Sequence, residues 1–165
     1  MVLLIISLFT VIAMINLSGA LSVNSFKGRA DDLVKLFQMA ETGAAQTGKR
    51  YEIVIDFTNN GYLLREITTG LVAVEDILEE EIIETGWFSD RFQLYYVMFD
   101  DGQKNTEYAL FRVGKTGWQY GGKIVVTDED GKLYSIIVNR LSRKTDIVEG
   151  DAIIPVPRTE EEMGF

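Results

Sequence analysis

The sequence predicts an α+β fold in which one long N-terminal helix packs on a C-terminal antiparallel β-sheet domain. Residues 1–26 contain no charged side chain, and an apolar stripe with steps of three and four residues follows them. After Gly48 the apolar residues alternate with polar ones instead. Steps of three and four keep side chains on one face of a helix, whereas alternation keeps them on one face of a strand. Because the helical pattern ends before the strand pattern begins, the class is α+β rather than alternating α/β.

The opening segment is long enough to cross a membrane. About 20 predominantly apolar residues span a hydrocarbon core of about 30 Å as a helix, and residues 2–23 meet that length. Small hydroxyl side chains such as Ser7 and Thr10 are tolerated there because they can bond to the helix backbone. We therefore expect a transmembrane or filament-core helix over residues 1–23, whose apolar contacts come from Val2, Leu3, Leu4, Ile5, Leu8, Phe9, Val11, Ile12, Met14, Ile15 and Leu17.

Two other interpretations of this segment remain open. A cleaved signal peptide would use residues 2–15 as its apolar core and Ser18-Gly19-Ala20 as its cleavage site, although the basic start of such peptides is absent. An ordinary single-pass anchor accounts for the span but leaves the following stripe unexplained. Either interpretation makes the chain a secreted or membrane-anchored β-rich binding domain.

The helix is expected to continue as an amphipathic segment over residues 24–48. Gly48 is a suitable stop, because glycine adopts the left-handed conformation that ends many helices. One face of this segment carries the residues that we call the packing stripe and expect to contact the sheet, namely Phe26, Ala30, Leu33, Phe37, Ala40 and Ala44.

The remainder of the chain predicts a run of antiparallel strands. Residues 51–57 alternate as a half-buried strand, and Asn60-Gly61 supplies a hairpin turn. Residues 74–85 are expected to form an irregular connection or an edge strand, with the acidic run Glu79–Glu81 in solvent. The other expected strands are residues 62–66, 92–99, 108–113, 123–127 and 132–138. With an acidic, flexible tail over residues 153–165, the β-rich domain is expected to occupy residues 49–152.

Composition excludes several classes of function. The net charge is −9, with 16 Lys and Arg against 25 Asp and Glu, so no nucleic-acid partner is expected, because phosphate binding needs clustered cations. The basic residues near the C-terminus are scattered among acids and are expected on a solvated surface; they are Lys123, Lys132, Arg140, Arg143 and Lys144.

The chain has no Cys and no His. It therefore has no disulfide, no Cys or Ser nucleophile paired with His, and none of the commonest metal ligand. A hydrolase that uses only carboxylates remains an alternative, although the sequence singles out no pair. No enzymatic activity and no cofactor are expected.

Three weaker signals favour structural interpretations. Asp128 and Asp130 are spaced like the start of a calcium loop, but the third acidic ligand is missing and a hairpin turn explains them better. Gly114-Lys115-Thr116 lacks the preceding glycine of a P-loop, since that position holds Ala109. Sheet core is the expected role, ahead of a binding face, for the aromatic residues Trp87, Phe92, Tyr95, Tyr96, Phe99 and Trp118.

One passage supports a family resemblance. It is the apolar opening and packing stripe leading into Ala40-Glu41-Thr42-Gly43-Ala44-Ala45-Gln46-Thr47-Gly48-Lys49-Arg50-Tyr51. This sequence resembles the type IV pilin-like superfamily, and most closely the minor pseudopilins of the GspH/FimT kind in type II secretion. The resemblance covers most of the chain and is most specific in the N-terminal third. It implies a structural filament subunit whose partners are other pseudopilins, inner-membrane lipid and a prepilin peptidase.

The resemblance also implies a processed, methylated N-terminus that this sequence does not contain. Members of the family carry a short basic leader and a Glu at the fifth mature position, and the chain has neither. We hypothesise that Met1 lies just after that Glu. Lys27 and Arg29 alone would favour a cytoplasmic domain, whereas a basic leader would favour a single-pass inner-membrane protein with a periplasmic domain. The sequence does not distinguish type II secretion from a type IV pilus or DNA uptake.

Overall fold

The computed structural model describes residues 26–68, 70–141 and 144–154. Within these ranges a helix, α1, covers residues 26–47, and ten strands follow it in two five-stranded antiparallel sheets. The predicted α+β class, with a helix before the strands, is confirmed. The described ranges contain no helix that is both long and apolar enough for a membrane span. The segment predicted to span, residues 1–23, lies outside them.

The chain passes back and forth between the two sheets. The strands are β1 (Tyr51–Asp56), β2 (Gly61–Glu66), β3 (Ile82–Trp87), β4 (Phe92–Phe99), β5 (Lys104–Asn105), β6 (Tyr108–Gly114), β7 (Gly117–Trp118), β8 (Gly122–Asp128), β9 (Leu133–Asn139) and β10 (Lys144–Glu149). The first sheet has the order β3-β2-β1-β6-β7, and the second has the order β10-β9-β8-β4-β5. The chain therefore leaves the first sheet after β3, returns for β6 and β7, and leaves it again.

Helix α1 packs on both sheets, and the core lies between the three layers. The ring of Phe26 stacks on Tyr134 of β9 at 4.4 Å, so the start of the described helix covers the second sheet. Phe37 meets Phe111 of β6 at 5.2 Å and Trp118 of β7 at 5.0 Å, which belong to the first sheet. A single apolar face of one helix thus closes the open side of two sheets.

Strand β1 differs from the half-buried strand predicted from its alternation. Five of its six residues are buried, including Glu52 and Val54 on the face away from the helix. The second face is covered because residues between β2 and β3 fold back over it. These residues include the 3₁₀ turns Val74–Asp76 and Glu79–Glu81. β3 then forms the outer strand of the first sheet, which fits the edge-strand alternative for residues 74–85.

The sequence pattern did not predict three of the strands, and it predicted a buried position for two aromatic residues that are exposed. β5 and β7 have two residues each, too few to show a period, and β10 mixes charged and apolar residues. The expectation of a core role was wrong for Trp87 and Tyr95, which are 64% and 54% exposed. Trp87 lies on the face of β3 that points away from the core, as alternation along the strand requires. Tyr95 is the extra residue of a β-bulge between Leu94 and Tyr96.

Two glycines of α1 and its C-terminal end, Gly48 and Gly28, are expected to respond to alanine substitution with opposite changes in stability. Gly48 has φ +70°, and its N–H donates to the carbonyl oxygen of Ala44 at 2.9 Å. A Cβ is strained at that backbone angle, so Gly48→Ala is expected to lower the free energy of unfolding by about 1 kcal/mol. Gly28 lies in the helix with open space around its Cβ position, so Gly28→Ala is expected to raise it by up to about 1 kcal/mol. Urea denaturation measures both, and equal signs would contradict this account of the helix end.

Candidate subunit interface

The packing stripe lies inside the domain. All six of its residues are buried, and they belong to one hydrophobic core together with residues of both sheets. The residues predicted for the filament-core helix, from Val2 to Leu17, lie outside the described ranges. Since the stripe is used within the domain, only the opposite face of α1 is available to a neighbouring molecule.

That opposite face is exposed and carries charges of both signs. Lys35 and Asp32 form an ion pair on it at 3.1 Å, which contributes little to stability because both groups are in water. Such a face lacks a contiguous apolar patch. The exposed residues of α1 are Lys27, Gly28, Arg29, Asp31, Asp32, Lys35, Gln38, Met39, Thr42, Ala45, Gln46 and Thr47.

An ionic cluster lies buried on the outer face of the first sheet, and the sequence analysis did not find it. Arg65 of β2 is fully buried between two carboxylates. Its guanidinium donates to Glu52 of β1 and to Glu81, each at 2.8 Å. Glu52 also accepts from Arg112 of β6. Two guanidinium groups and two carboxylates balance in charge, and we call these four residues the Arg65 cluster.

The Arg65 cluster fastens the connection between β2 and β3 to the sheet. Glu81 accepts hydrogen bonds from the backbone N–H of Thr68, at 3.0 Å, and from its hydroxyl. The prediction that the whole run Glu79–Glu81 is solvated was therefore wrong for Glu81, which is buried. Its carboxylate is satisfied by a guanidinium and a hydroxyl, so the burial does not leave a bare charge.

A second buried cation fastens the C-terminal end of the described chain. Lys123 of β8 was expected in solvent but is only 6% exposed. Its ammonium donates to the carboxylate of Asp151 and, at 2.8 Å, to the carbonyl oxygen of Ala152. The hydroxyl of Tyr96 donates to the other oxygen of Asp151 at 2.7 Å. These bonds hold Asp151 and Ala152 against the outer face of the second sheet.

These contacts shift the pKa values of both charged groups. The hydrogen bond from Lys123 and that from Tyr96 lower the pKa of Asp151 below 3.8. Desolvation opposes charging of Lys123, but its hydrogen bonds to Asp151 and Tyr96 outweigh desolvation and raise its pKa above 10.5. The pair is therefore fully charged at neutral pH.

Asp151→Asn should lower the free energy of unfolding by about 1 kcal/mol at pH 7, because it removes the carboxylate that pairs with the buried ammonium of Lys123. The ammonium keeps the carbonyl oxygen of Ala152 as an acceptor. The value is modest since the Asp151 side chain is 43% exposed. A carboxylate whose pKa is lower in the folded than in the unfolded protein stabilises the fold at pH values above its unfolded-state pKa. That stabilisation is lost as the pH falls through its folded-state pKa. Unfolding of both proteins between pH 2 and 7 should show the difference constant above about pH 5 and shrinking below about pH 4. A difference that grows on acidification would contradict the assignment.

Asp128 forms the turn between β8 and β9. One of its carboxylate oxygens accepts from the backbone N–H of Asp130 at 3.0 Å and from that of Lys132 at 2.8 Å, and the other accepts from the hydroxyl of Tyr134. These bonds are those of an Asp that stabilises a tight turn. No group of three acidic or other metal-ligating side chains suited to an ion is found in the part of the chain that the structure describes.

Sequence comparisons and structural comparison give different results. Neither a model of a known protein family nor a curated protein matches the sequence. The fold, however, is similar to that of the minor pseudopilin EpsH from the type 2 secretion system of Vibrio cholerae, with a TM-score of 0.52. The similar region covers 74% of this chain and 95% of EpsH, at 9% sequence identity.

The protein has a pilin-like fold.

The family resemblance inferred from the sequence is thus supported by the structure. Because the similar region covers 95% of the EpsH chain, the likeness is not limited to one motif. At 9% identity the likeness is one of fold. The likeness to EpsH therefore carries no argument about the Arg65 cluster or the Lys123–Asp151 pair.

Proposed function

We propose that the chain is a structural minor pseudopilin or pilin-like subunit. It assembles through its N-terminal helix into a type II secretion pseudopilus or a related type IV filament and supports protein export. The observation that carries the proposal is the placement of α1 on two antiparallel sheets, as in a minor pseudopilin. We do not propose an enzyme, since the carboxylates that the structure brings together with other polar groups form ion pairs and a turn; they are Glu52, Glu81, Asp128 and Asp151.

The proposal assigns a role to each part of the chain. Residues 1–23, rich in aliphatic side chains, insert in the inner membrane and later pack with other helices in the filament core. Residues 24–48 join that helix to the domain of residues 49–152, which lies on the periplasmic side, and residues 153–165 form a tail. Other pilin-like subunits, inner-membrane lipid and a prepilin peptidase are the partners, and methylation modifies the processed N-terminus.

Substitution Leu8→Arg tests the role of the N-terminal helix. An arginine in the middle of a membrane helix costs roughly 2.5–3.5 kcal/mol on insertion scales. We therefore expect the variant to leave the membrane fraction and to be absent from any filament. Thr116→Arg adds the same charge at an exposed position in the turn between β6 and β7, and it should remain in the membrane. Normal membrane fractionation of Leu8→Arg would count against the proposal.

The DNA upstream of the Met1 codon provides a second, independent test. An open reading frame that encodes a basic leader, then a glycine and an apolar start with Glu at the fifth mature position, supports a pilin-type precursor. A stop codon in that frame, with a ribosome-binding site before Met1, would favour the signal-peptide or plain-anchor interpretation instead. Intact mass of the exported protein would then show whether cleavage occurs after Ala20.

A further inference from the structure

The outer strand of the first sheet, β3, is unusually open. No strand pairs with its outer side in the part of the chain that the structure describes. It exposes two large apolar side chains, Ile83 at 48% and Trp87 at 64%. Exposed edges are usually blunted by charges or shortness. β10, at the edge of the second sheet, carries Lys144 and Glu149 at its ends, whereas the only charged residue of β3 is Glu84.

The main chain of β3 offers hydrogen-bonding groups to its open side. The N–H of Phe88 donates to the carbonyl oxygen of Asn60 at 3.0 Å, one position beyond the pair of Gly61 and Trp87. Bonded and non-bonded pairs alternate along an antiparallel ladder. Thr85 and Trp87 therefore occupy non-bonded positions and direct their N–H and C=O groups away from β2. These groups are available to another strand.

Grooves lie on both faces of this edge. On the inner face, the helix-side groove has a volume of about 500 Å³ and is lined by α1 residues such as Leu36 and Met39 together with Tyr62 and Gly86. On the outer face, the outer groove has a volume of about 350 Å³ and is lined by Val54, Leu63, Val74 and Trp87. An added strand points alternate side chains to opposite faces of a sheet, so each groove would receive one set.

Gly86 allows the ring of Tyr62 to lie against the main chain of β3 in the helix-side groove. A Cβ at this position would lie 2.4 Å from the ring of Tyr62, so the phenol occupies the space that a side chain would fill. Burial raises the pKa of Tyr62, the carboxylates of Asp32 and Glu84 raise it further, and Arg29 opposes them. The three charged groups therefore surround this phenol in the groove.

The charges of the helix-side groove define what fits it. Asp32 is already paired with Lys35. Arg29 and Glu84 form no ion pair with any residue in the described ranges. The groove thus offers one cation from α1 and one carboxylate from β3, which are complementary to a segment that carries one charge of each sign on the same face.

We propose that β3 binds an extended segment of a neighbouring pilin-like subunit as a sixth strand of the first sheet. The segment points apolar side chains into the outer groove, toward Thr85 and Trp87 of β3. On alternate positions it points a carboxylate toward Arg29 and an ammonium or guanidinium toward Glu84. That the segment comes from a filament subunit depends on the proposed function; the strand-accepting edge does not.

A synthetic strand tests the edge directly. The probe is acetyl-Val-Glu-Val-Lys-Val-Thr-amide, titrated into the full chain in detergent micelles while the backbone amide signals of residues 82–88 are recorded by NMR. We expect saturable shifts at Thr85 and Trp87. Thr85→Pro, which removes an outward N–H at an edge position that tolerates proline, should weaken binding at least about tenfold, corresponding to about 1.4 kcal/mol. Thr85→Val keeps that N–H and should bind like the unaltered chain.

Modified probes separate main-chain pairing from contact of side chains alone. N-methylation of the residues that face β3 should abolish binding, whereas N-methylation of the intervening residues should not. Arg29→Gln and replacement of the probe's Glu by Gln should each weaken binding, and the two together should weaken it less than the product of the single effects.

Three outcomes would overturn the proposal. The first is that the probe does not bind at millimolar concentration, and the second is that both N-methylated probes bind equally well. The third is that this chain forms a dimer that Thr85→Pro dissociates, because a second copy of the chain would then be the occupant of the edge. None of them depends on membrane residence, so failure here leaves the filament-subunit proposal standing. Conversely, failure of the Leu8→Arg test leaves the binding edge standing.

Discussion

Arg65→Met is expected to lower the free energy of unfolding by roughly 3–5 kcal/mol, because removing one partner of a buried ionic group leaves uncompensated charge. The substitution keeps much of the apolar stem but removes the cation between Glu52 and Glu81. Glu52 retains Arg112, whereas Glu81 loses its guanidinium partner and keeps hydrogen bonds from Thr68. Urea denaturation of the full chain in micelles, followed by the fluorescence of the buried Trp118, measures the change.

Two further variants identify the origin of this loss. Arg91→Met removes a guanidinium from an exposed pair with Glu129 at 3.5 Å, and it should change the free energy of unfolding by less than about 1 kcal/mol. Adding Glu81→Gln to Arg65→Met should recover part of the stability, since it removes a buried charge that has lost its guanidinium partner. A loss below about 1 kcal/mol for Arg65→Met, or no recovery in the double variant, would show that the cluster is not structural.

Phe37→Ala should lower the free energy of unfolding by roughly 3–5 kcal/mol, the usual cost of removing a buried phenylalanine ring. The ring lies against Phe111 and Trp118, so the cavity forms where α1 meets the first sheet. Trp118 emission should also shift to longer wavelength as water reaches the indole. Together the two readouts place the loss at this contact rather than elsewhere in the core.

Met39→Ala is the matched control for that experiment. Met39 lies two residues further along the same helix and is 41% exposed. Alanine is a good helix former, so the expected change is within about 0.5 kcal/mol and Trp118 emission should not move. Equal losses for both variants would mean that α1 does not pack on the sheets through the packing stripe.

Sequence patterns predicted the elements whose periods are long and uniform. The packing stripe runs through six residues at helical spacing, and Asn60-Gly61 joins β1 and β2 as a hairpin. Local signals of this kind depend on a few neighbouring residues. They do not state which strands pair across large separations, so β1 beside β6 and β4 beside β8 became known only from the structure.

The candidate site was predicted less well because burial of charge has no local signature. Glu52 and Arg65 occupy strand positions typical of a solvated face, and only the folding of Glu81 onto them explains why they are buried. The sequence around Lys123 resembles that of a surface lysine, and only the structure shows that Asp151 pairs with it. Trp87 was placed in the core because tryptophan usually is, although alternation along β3 gives it the opposite face.

The order in which the chain visits the sheets restricts how the domain comes into existence. Neither sheet is complete early in synthesis: β1 waits for β6, β4 waits for β8, and the second sheet also needs β9 and β10. A chain that emerges with its N-terminus first, or is pulled through a membrane in that direction, exposes the apolar face of α1 until about residue 139 has followed. The complete three-layer core can therefore form only late in synthesis, after the last strands of the second sheet are available.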